Sequence, residues 1–324
     1  MKLIVITGPT ASGKTAMAVK LARRIGGEII SVDSRQVYRG LDIGSGKDLS
    51  EYGTGADRVP VHLLDIADPA AEEQFTLADF MREAKKSIYE ILSRGNTPIL
   101  CGGTAMYLHA LIRGYELPGG PADRSFRNEI KDRPAEELAK QREDQENLKL
   151  GEENNPYRNA RKLEIQSSAS KRAASGGEIP DAEFLIIGAY RTRAEIHRRI
   201  ELRLDQRLEE GMLDEIRSLH DKNGVLWERM ESFGLEYREL SAIYSKGIPV
   251  QTARNSLLIK IRQFAKRQDT WFRKLEREGI SIYWTPPENI SEAEQLCRNF
   301  LDGKELPPPA FKLEPNPKSI VKPS

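Results

Sequence analysis

One run near the start, Gly8-Pro9-Thr10-Ala11-Ser12-Gly13-Lys14-Thr15, constrains this chain more than any other feature. Two glycines bracket four residues ahead of Lys-Thr, the spacing of a P-loop. Such a loop works only between a buried strand and a helix N-terminus, where its backbone N–H groups surround phosphate oxygens. Both neighbours are legible. Leu3-Ile4-Val5-Ile6 reads as a short strand, and Met17, Ala18, Leu21, Ala22 and Ile25 recur at helical spacing after Lys14. In this setting Lys14 reaches the terminal phosphate and the Thr15 hydroxyl is placed for Mg²⁺. ATP or GTP is the usual occupant, yet any diphosphate meets the same donors.

The next segments keep a strand–helix rhythm. Residues 28–32 read as a second strand ending on Asp33, residues 77–93 as a helix stopped by Gly95, and Pro98-Ile99-Leu100-Cys101 as a third strand ending on Gly102-Gly103-Thr104. This pattern predicts an α/β fold, a P-loop NTPase-like parallel sheet flanked by helices. Residues 118–180 are polar, charged and poor in strand signal, and read as a helical insertion domain. Phe184-Leu185-Ile186-Ile187-Gly188 then resumes the sheet. The expected divisions are 1–117 for the first part of the core, 118–180 for the insertion, 181–285 for the second part with its basic helices, and 286–324 for a tail. That tail holds 8 of the 18 prolines, so it is expected to be extended or flexible.

Bulk properties remove several classes. Charged residues make up 31% and hydrophobic ones 39%, a globular profile. No apolar run reaches the roughly 18 residues of a membrane span. No basic leader precedes the first strand, and Cys101 and Cys297 cannot build a disulfide framework, so a cytoplasmic location is expected. A net charge of +1 does not exclude a nucleic-acid partner, because clustering on one face decides that. A helix starting near Arg193 carries Arg198, Arg199, Arg203 and Arg207 among acids, with a break expected near Gly211. A second, near residues 251–278, carries Arg254, Lys260, Arg262, Lys266, Arg267, Arg273, Lys274 and Arg277 beside an apolar stripe that includes Gln268. One positive face of that kind suits a phosphate backbone. Trp271 and Phe272 read as core anchors.

An NTP hydrolase also needs a carboxylate at a strand end. Asp33 and Asp65 are the candidates, but neither follows four clean aliphatics. Asp33 sits where α/β sheets place chemistry, with N-capping of the next segment as the plain structural alternative.

Four blocks taken together carry a resemblance: residues 8–15, residues 33–44, residues 98–107, and Lys266-Arg267-Gln268-Asp269-Thr270-Trp271-Phe272. In this order they resemble the signatures of tRNA dimethylallyltransferases, from residue 2 to about residue 285. The resemblance implies transfer of a dimethylallyl group from dimethylallyl diphosphate to N6 of the adenosine 3′ of the anticodon, with Mg²⁺ as cofactor and a tRNA anticodon stem-loop as partner. The P-loop, Gly8 to Thr15, would then hold a departing diphosphate, with Arg199 or Arg203 as a further contact and Arg203 favoured. Asp33 matches the base that accepts the adenine proton, and Thr10 a position beside the reacting groups. Ser34, Arg35, Gln36 and Thr104 match tRNA contacts. So do Tyr157, Arg158, Asn159, Ala160 and Arg161, in the block that begins Asn155-Pro156. The chain is expected to act as a monomer.

The sequence departs from the family pattern in two blocks and a length. Ser45-Gly46-Lys47-Asp48 stands for Thr-Ala-Lys-Pro, Gly234-Leu235-Glu236-Tyr237 places an acid where a base is usual, and the segment from 118 to 155 is short. Three other readings stay open at this point: prenyl transfer to a free adenine nucleotide, a P-loop kinase of a small molecule, and a non-catalytic RNA-binding paralogue.

Overall fold

A computed structural model describes residues 1–114, 124–130, 133–143, 154, 156–167, 179 and 181–313. The chain forms two units, one of residues 1–112 with 180–324 and one of residues 113–179.

The larger unit is built on six parallel strands: β1 (Lys2–Thr7), β2 (Gly27–Val32), β3 (Val61–His62), β4 (Thr97–Gly102), β5 (Glu183–Ala189) and β6 (Tyr283–Thr285). Their order is β3-β2-β4-β1-β5-β6. β1 lies at the centre, with Ile4 opposite Ile99 on one side and Leu185 on the other. Its residues from Leu3 to Thr7 are all buried, as expected for a strand covered on both faces. The chain leaves β1 for β2 and β3 on one side and reaches β5 on the other. Such a reversal of strand order opens a crevice at the carboxyl ends of the strands, and the loop at that end of β1 is Gly8–Gly13.

The helices of this unit are α1 (Lys14–Ile25), α2 (Leu77–Ser93), α3 (Ala105–Arg113, whose last residue belongs to the second unit), α7 (Arg193–Glu209), α8 (Met212–Asp221), α9 (Trp227–Met230), α10 (Leu235–Lys246), α11 (Val250–Arg277) and α12 (Ile290–Leu301). The break expected near Gly211 separates α7 from α8, with Gly211 at φ 99°. One core joins Met17 and Leu21 of α1 to Ile4, Ile6 and Ile99 of the sheet and to Ala293, Cys297 and Phe300 of α12. The tail expected to be flexible from residue 286 is therefore corrected: residues 290–301 form an amphipathic helix that covers α1. The prolines flank this helix and leave its apolar spacing intact. A second core is helical. Ile200, Leu204, Met212, Ile216, Tyr237, Leu240, Leu257 and Ile261 close around Ala11 and Val37, so the P-loop rests on the helices as well as on the sheet.

The second unit contains α4 (Arg124–Ile130), α5 (Ala135–Lys140) and α6 (Pro156–Ser167), in line with the helical insertion. Ile130, Leu138 and Leu163 form its small core, flanked by Phe126 and Ala160.

Candidate active site

The P-loop is held from three sides. Gln268 of α11 accepts from the Thr10 N–H at 2.8 Å, and its amide donates to the Gly103 carbonyl at 3.0 Å. Arg199 donates to the Ala11 carbonyl at 2.8 Å, and Arg191 to the Ser12 carbonyl at 2.9 Å. These bonds point loop carbonyls toward the arginines. No side chain among the described residues caps α1, so the first-turn N–H groups remain available as donors. The Ser12 hydroxyl is buried and has no hydrogen-bond partner among the described residues. Pro9 is buried and its carbonyl accepts from the Ser12 N–H at 3.3 Å.

A cavity of about 640 Å³ opens beside this loop. Gly13, Lys14 and Thr15 line one side, Asp48 and Glu51 another, and Arg199 and Arg203 of α7 a third. Burial pulls the Lys14 ammonium below its ordinary pKa, and Arg203 nearby adds to the shift. Cys101, Asp33 and Asp48 act in the opposite direction. The ammonium forms no hydrogen bond or ion pair with any described residue. Arg203 pairs with Asp48, and Arg207 lies 3.6 Å from the same carboxylate. Lys47 is fully buried and bound to Asp42, to Asp65 and to the Tyr38 carbonyl. Asp65 is thereby engaged in holding Lys47.

Asp33 directly follows β2, and its charge acts on the Lys14 ammonium. One carboxylate oxygen accepts from the backbone of Arg35 at 2.8 Å and of Gln36 at 3.4 Å. The capping alternative is thus real: the aspartate closes its own turn through one oxygen. The second oxygen is bonded to none of the described residues. Thr104 accepts from the Ser34 N–H at 3.2 Å and ties the end of β4 to this turn. Gly103 permits the approach, since a Cβ there would lie 2.6 Å from the Gln268 amide and 3.7 Å from the Lys14 Cε.

Several expected tRNA contacts turn inward. Gln36 bonds Ser31 at 2.7 Å and the Gly46 carbonyl at 2.9 Å, so it organises the loop. Arg35 donates to the Phe233 carbonyl at 3.1 Å and to Ser34. In α6 Asn159 is fully buried, bonded to Arg142 and to the Ala135 carbonyl, and its expected RNA contact is replaced by a structural role. Ala160 packs in the same small core, and Arg161 bonds Glu164 at 2.7 Å. Arg158 is exposed. The Tyr157 side chain lies outside the described residues. The one-sided positive face expected on α11 is corrected for its first half, where Arg254 pairs with Asp205, Lys260 with Glu239 and Arg262 with Glu201. Lys266 and Arg267 are exposed without an ion pair among the described residues. Phe272 is a core anchor as expected, while Trp271 is half-buried and meets the His109 ring edge-on.

The profile of the IPP transferase family matches residues 36–275. A tRNA dimethylallyltransferase 2 of Pelobacter propionicus is 46% identical over 305 residues, 91% of this chain and 93% of that protein. A tRNA dimethylallyltransferase 1 of Syntrophus aciditrophicus is 41% identical over 92% of this chain and 98% of its own. The crystal structure of a tRNA isopentenylpyrophosphate transferase from Bacillus halodurans superposes with a TM-score of 0.67 at 32% identity, covering 93% of this chain and 97% of that one. This chain belongs to the tRNA dimethylallyltransferase family. Its enzymes are prenyl transferases, and the P-loop NTPase-like sheet is the architecture of the solved relatives.

Three residues of this family member escaped the sequence reading. Glu215 of α8 accepts from the backbone N–H groups of Asp42, Ile43 and Gly44 at 2.9, 2.6 and 3.1 Å, and from the Tyr237 hydroxyl at 2.8 Å, fixing the turn that carries Lys47 and Asp48. Gln268 stands in the block of residues 266–272 without an assigned role, and as a polar residue in an apolar stripe it signals a buried partner. Arg207 stands in the sequence only as one of four arginines among acids on its helix. Glu236, the acid in the altered block, faces a small pocket with Arg207, and burial raises its pKa.

Proposed function

We propose that this protein transfers a dimethylallyl group from dimethylallyl diphosphate to N6 of the adenosine 3′ of the tRNA anticodon and releases diphosphate, acting as a cytoplasmic monomer. The observation that carries the reading is the P-loop placement of Lys14, which lines the cavity together with Thr15 and Arg203 and whose ammonium is within electrostatic reach of Asp33. An anion seat within reach of a strand-end carboxylate suits a reaction that separates a leaving diphosphate from an attacking amine.

The chemistry follows from that placement. Departure of diphosphate from an allylic carbon builds charge on its oxygens. Lys14, Arg203 and the uncapped N–H groups of α1 stabilise that charge as it forms. The adenine amine is a poor nucleophile because its lone pair is delocalised into the ring. The outward oxygen of Asp33 takes its proton as the C–N bond forms. Thr10, its N–H held by Gln268, would stand beside the reacting groups. Exposed Lys266, Arg267 and Arg158 offer charge to RNA phosphates.

The residues present fit Mg²⁺. No group of three His, Cys, Asp or Glu among the described residues forms a metal cage, and Mg²⁺ characteristically uses one or two protein oxygens with water and substrate phosphates. Thr15 would hold it, and when bound the ion neutralises charge on the diphosphate.

Labelled dimethylallyl diphosphate, incubated with the protein and either an anticodon stem-loop or AMP, tests the reading. Label in the stem-loop is expected. Label only in AMP would move the reaction to a free nucleotide, and tight RNA binding without transfer would remove the catalytic assignment.

A further inference from the structure

The cavity beside the P-loop already contains an anion of the protein's own. Asp48 has a left-handed backbone, φ 45°, at the end of the turn fixed by Glu215. Its two oxygens face two arginines of α7, one paired with Arg203 and the other 3.6 Å from Arg207. The Asp48 and Arg203 side chains are 29% and 32% exposed, so the pair borders solvent, whereas Arg207 is 12% exposed. Of the other cations near the loop, Lys47 is engaged with Asp42 and Asp65 and Arg199 with the Ala11 carbonyl, while Lys14 forms no ion pair among the described residues. The guanidinium group best placed for a diphosphate therefore already holds a carboxylate.

We infer that Asp48 is a resident counter-anion of the diphosphate seat, competing for Arg203 and Arg207 until the donor's diphosphate displaces it. This rests on the preceding reading of the cavity as a diphosphate site. A carboxylate and a diphosphate repel each other and compete for the same guanidinium N–H groups. Donor binding thus requires the Asp48–Arg203 pair to open, and affinity is lower than the cations alone would give. The same exchange runs backward after transfer. Asp48 retakes Arg203 and assists release of the product diphosphate. The residue sets donor affinity and product release, and has no contact with the adenine.

Calorimetric binding of inorganic diphosphate to the wild-type protein, Asp48→Asn and Asp48→Gly tests this, because both replacements accept the left-handed backbone. Loss of one repulsive pair of this exposure is expected to tighten binding roughly tenfold in both variants. The KM for dimethylallyl diphosphate should fall in parallel, inhibition by diphosphate should strengthen, and kcat should not rise. Unchanged or weaker diphosphate binding in variants that melt like the wild type would overturn the inference and leave Asp48 a holder of the arginines. A structure of the wild-type protein with diphosphate bound gives an independent reading. Asp48 turned away from Arg203 is expected, and a persisting pair beside the bound diphosphate overturns the inference. If the wild type binds no diphosphate while Lys14→Ala behaves identically, the proposed function itself fails, which is a distinct result.

Discussion

The Gln268 side chain accepts from the Thr10 N–H at 2.8 Å while donating to the Gly103 carbonyl at 3.0 Å. One buried amide from α11 therefore sets the spacing between the P-loop after β1 and the turn after β4. Those loops carry the diphosphate donors and the support of Asp33. Replacing Gln268 by Leu keeps most of the volume and removes both bonds. A misplacement of about 1 Å at such a site costs on the order of 100-fold in rate, so kcat/KM for prenyl transfer should fall 10- to 100-fold. Gln268→Glu retains the acceptor for Thr10 but sets a carboxylate against the Gly103 carbonyl, and should fall between. Wild-type kcat/KM in Gln268→Leu would show that the sheet alone positions the loop.

Asp33 uses one oxygen for its turn and leaves the other without a hydrogen bond among the described residues. Asp33→Asn preserves the acceptor that caps Arg35 and Gln36 and removes the basicity, which separates the two roles. General-base contributions run about 10²- to 10⁴-fold, and the loss in kcat should lie in that range, with diphosphate affinity and melting temperature close to wild type. Turnover near wild type in this variant would sink the assignment of Asp33 as base. A large drop in melting temperature would instead make the capping bonds its main contribution.

The P-loop, the parallel sheet and most helices of the larger unit were legible because each has a local signature: buried aliphatic runs, helical spacing, glycines at fixed offsets. Asp33 was legible as a strand-end carboxylate. What escaped was long-range. Glu215 lies more than 170 positions from the backbone groups it holds, and nothing near it in sequence announces that task. The positive face of α11 was misread because Glu201, Asp205 and Glu239, which neutralise its first half, sit on other helices. The helix at residues 290–301 was hidden by proline content, although Ile290, Ala293, Cys297 and Phe300 carry helical spacing. Gln36 and Asn159 matched contact positions by type, but their amides are engaged internally.

Glu28 supplies a pH dependence of stability. It is buried at the start of β2, where Arg94 first, then Asn96 and His62, hold its carboxyl down from the ordinary 4.5 to about 2. The folded state thus favours the ionised form more than the unfolded chain does. Its contribution is complete above about pH 4.5 and is lost as pH falls toward 2. Thermal melts at stepped pH should show Glu28→Gln less stable than wild type at pH 7, with the gap closing in that window. Arg94 is largely exposed, so the loss at pH 7 is expected near 2 kcal/mol rather than that of a fully buried pair. A pH-independent gap would assign the effect to packing.

Gly46 gives the last and most directional test. Its φ is +66°, and a Cβ there would overlap the Arg207 Nη2 and lie 3.0 Å from the Arg203 Nη2. Gly46→Ala must therefore push the Arg207 guanidinium aside and crowd that of Arg203. The left-handed backbone adds a cost of about 1 kcal/mol for a non-glycine residue. Both guanidinium groups belong to the cavity wall opposite Lys14, so displacement should weaken diphosphate binding and raise the donor KM roughly tenfold, as loss of one charge-assisted contact does. Asp48→Asn leaves the arginines in place and removes their competitor, and is expected to act in the opposite direction. The double variant should then resemble Gly46→Ala, because a missing competitor is of little consequence once the arginines have moved. Measured diphosphate affinities that add independently across the pair would mean that Asp48 acts on something other than Arg203 and Arg207.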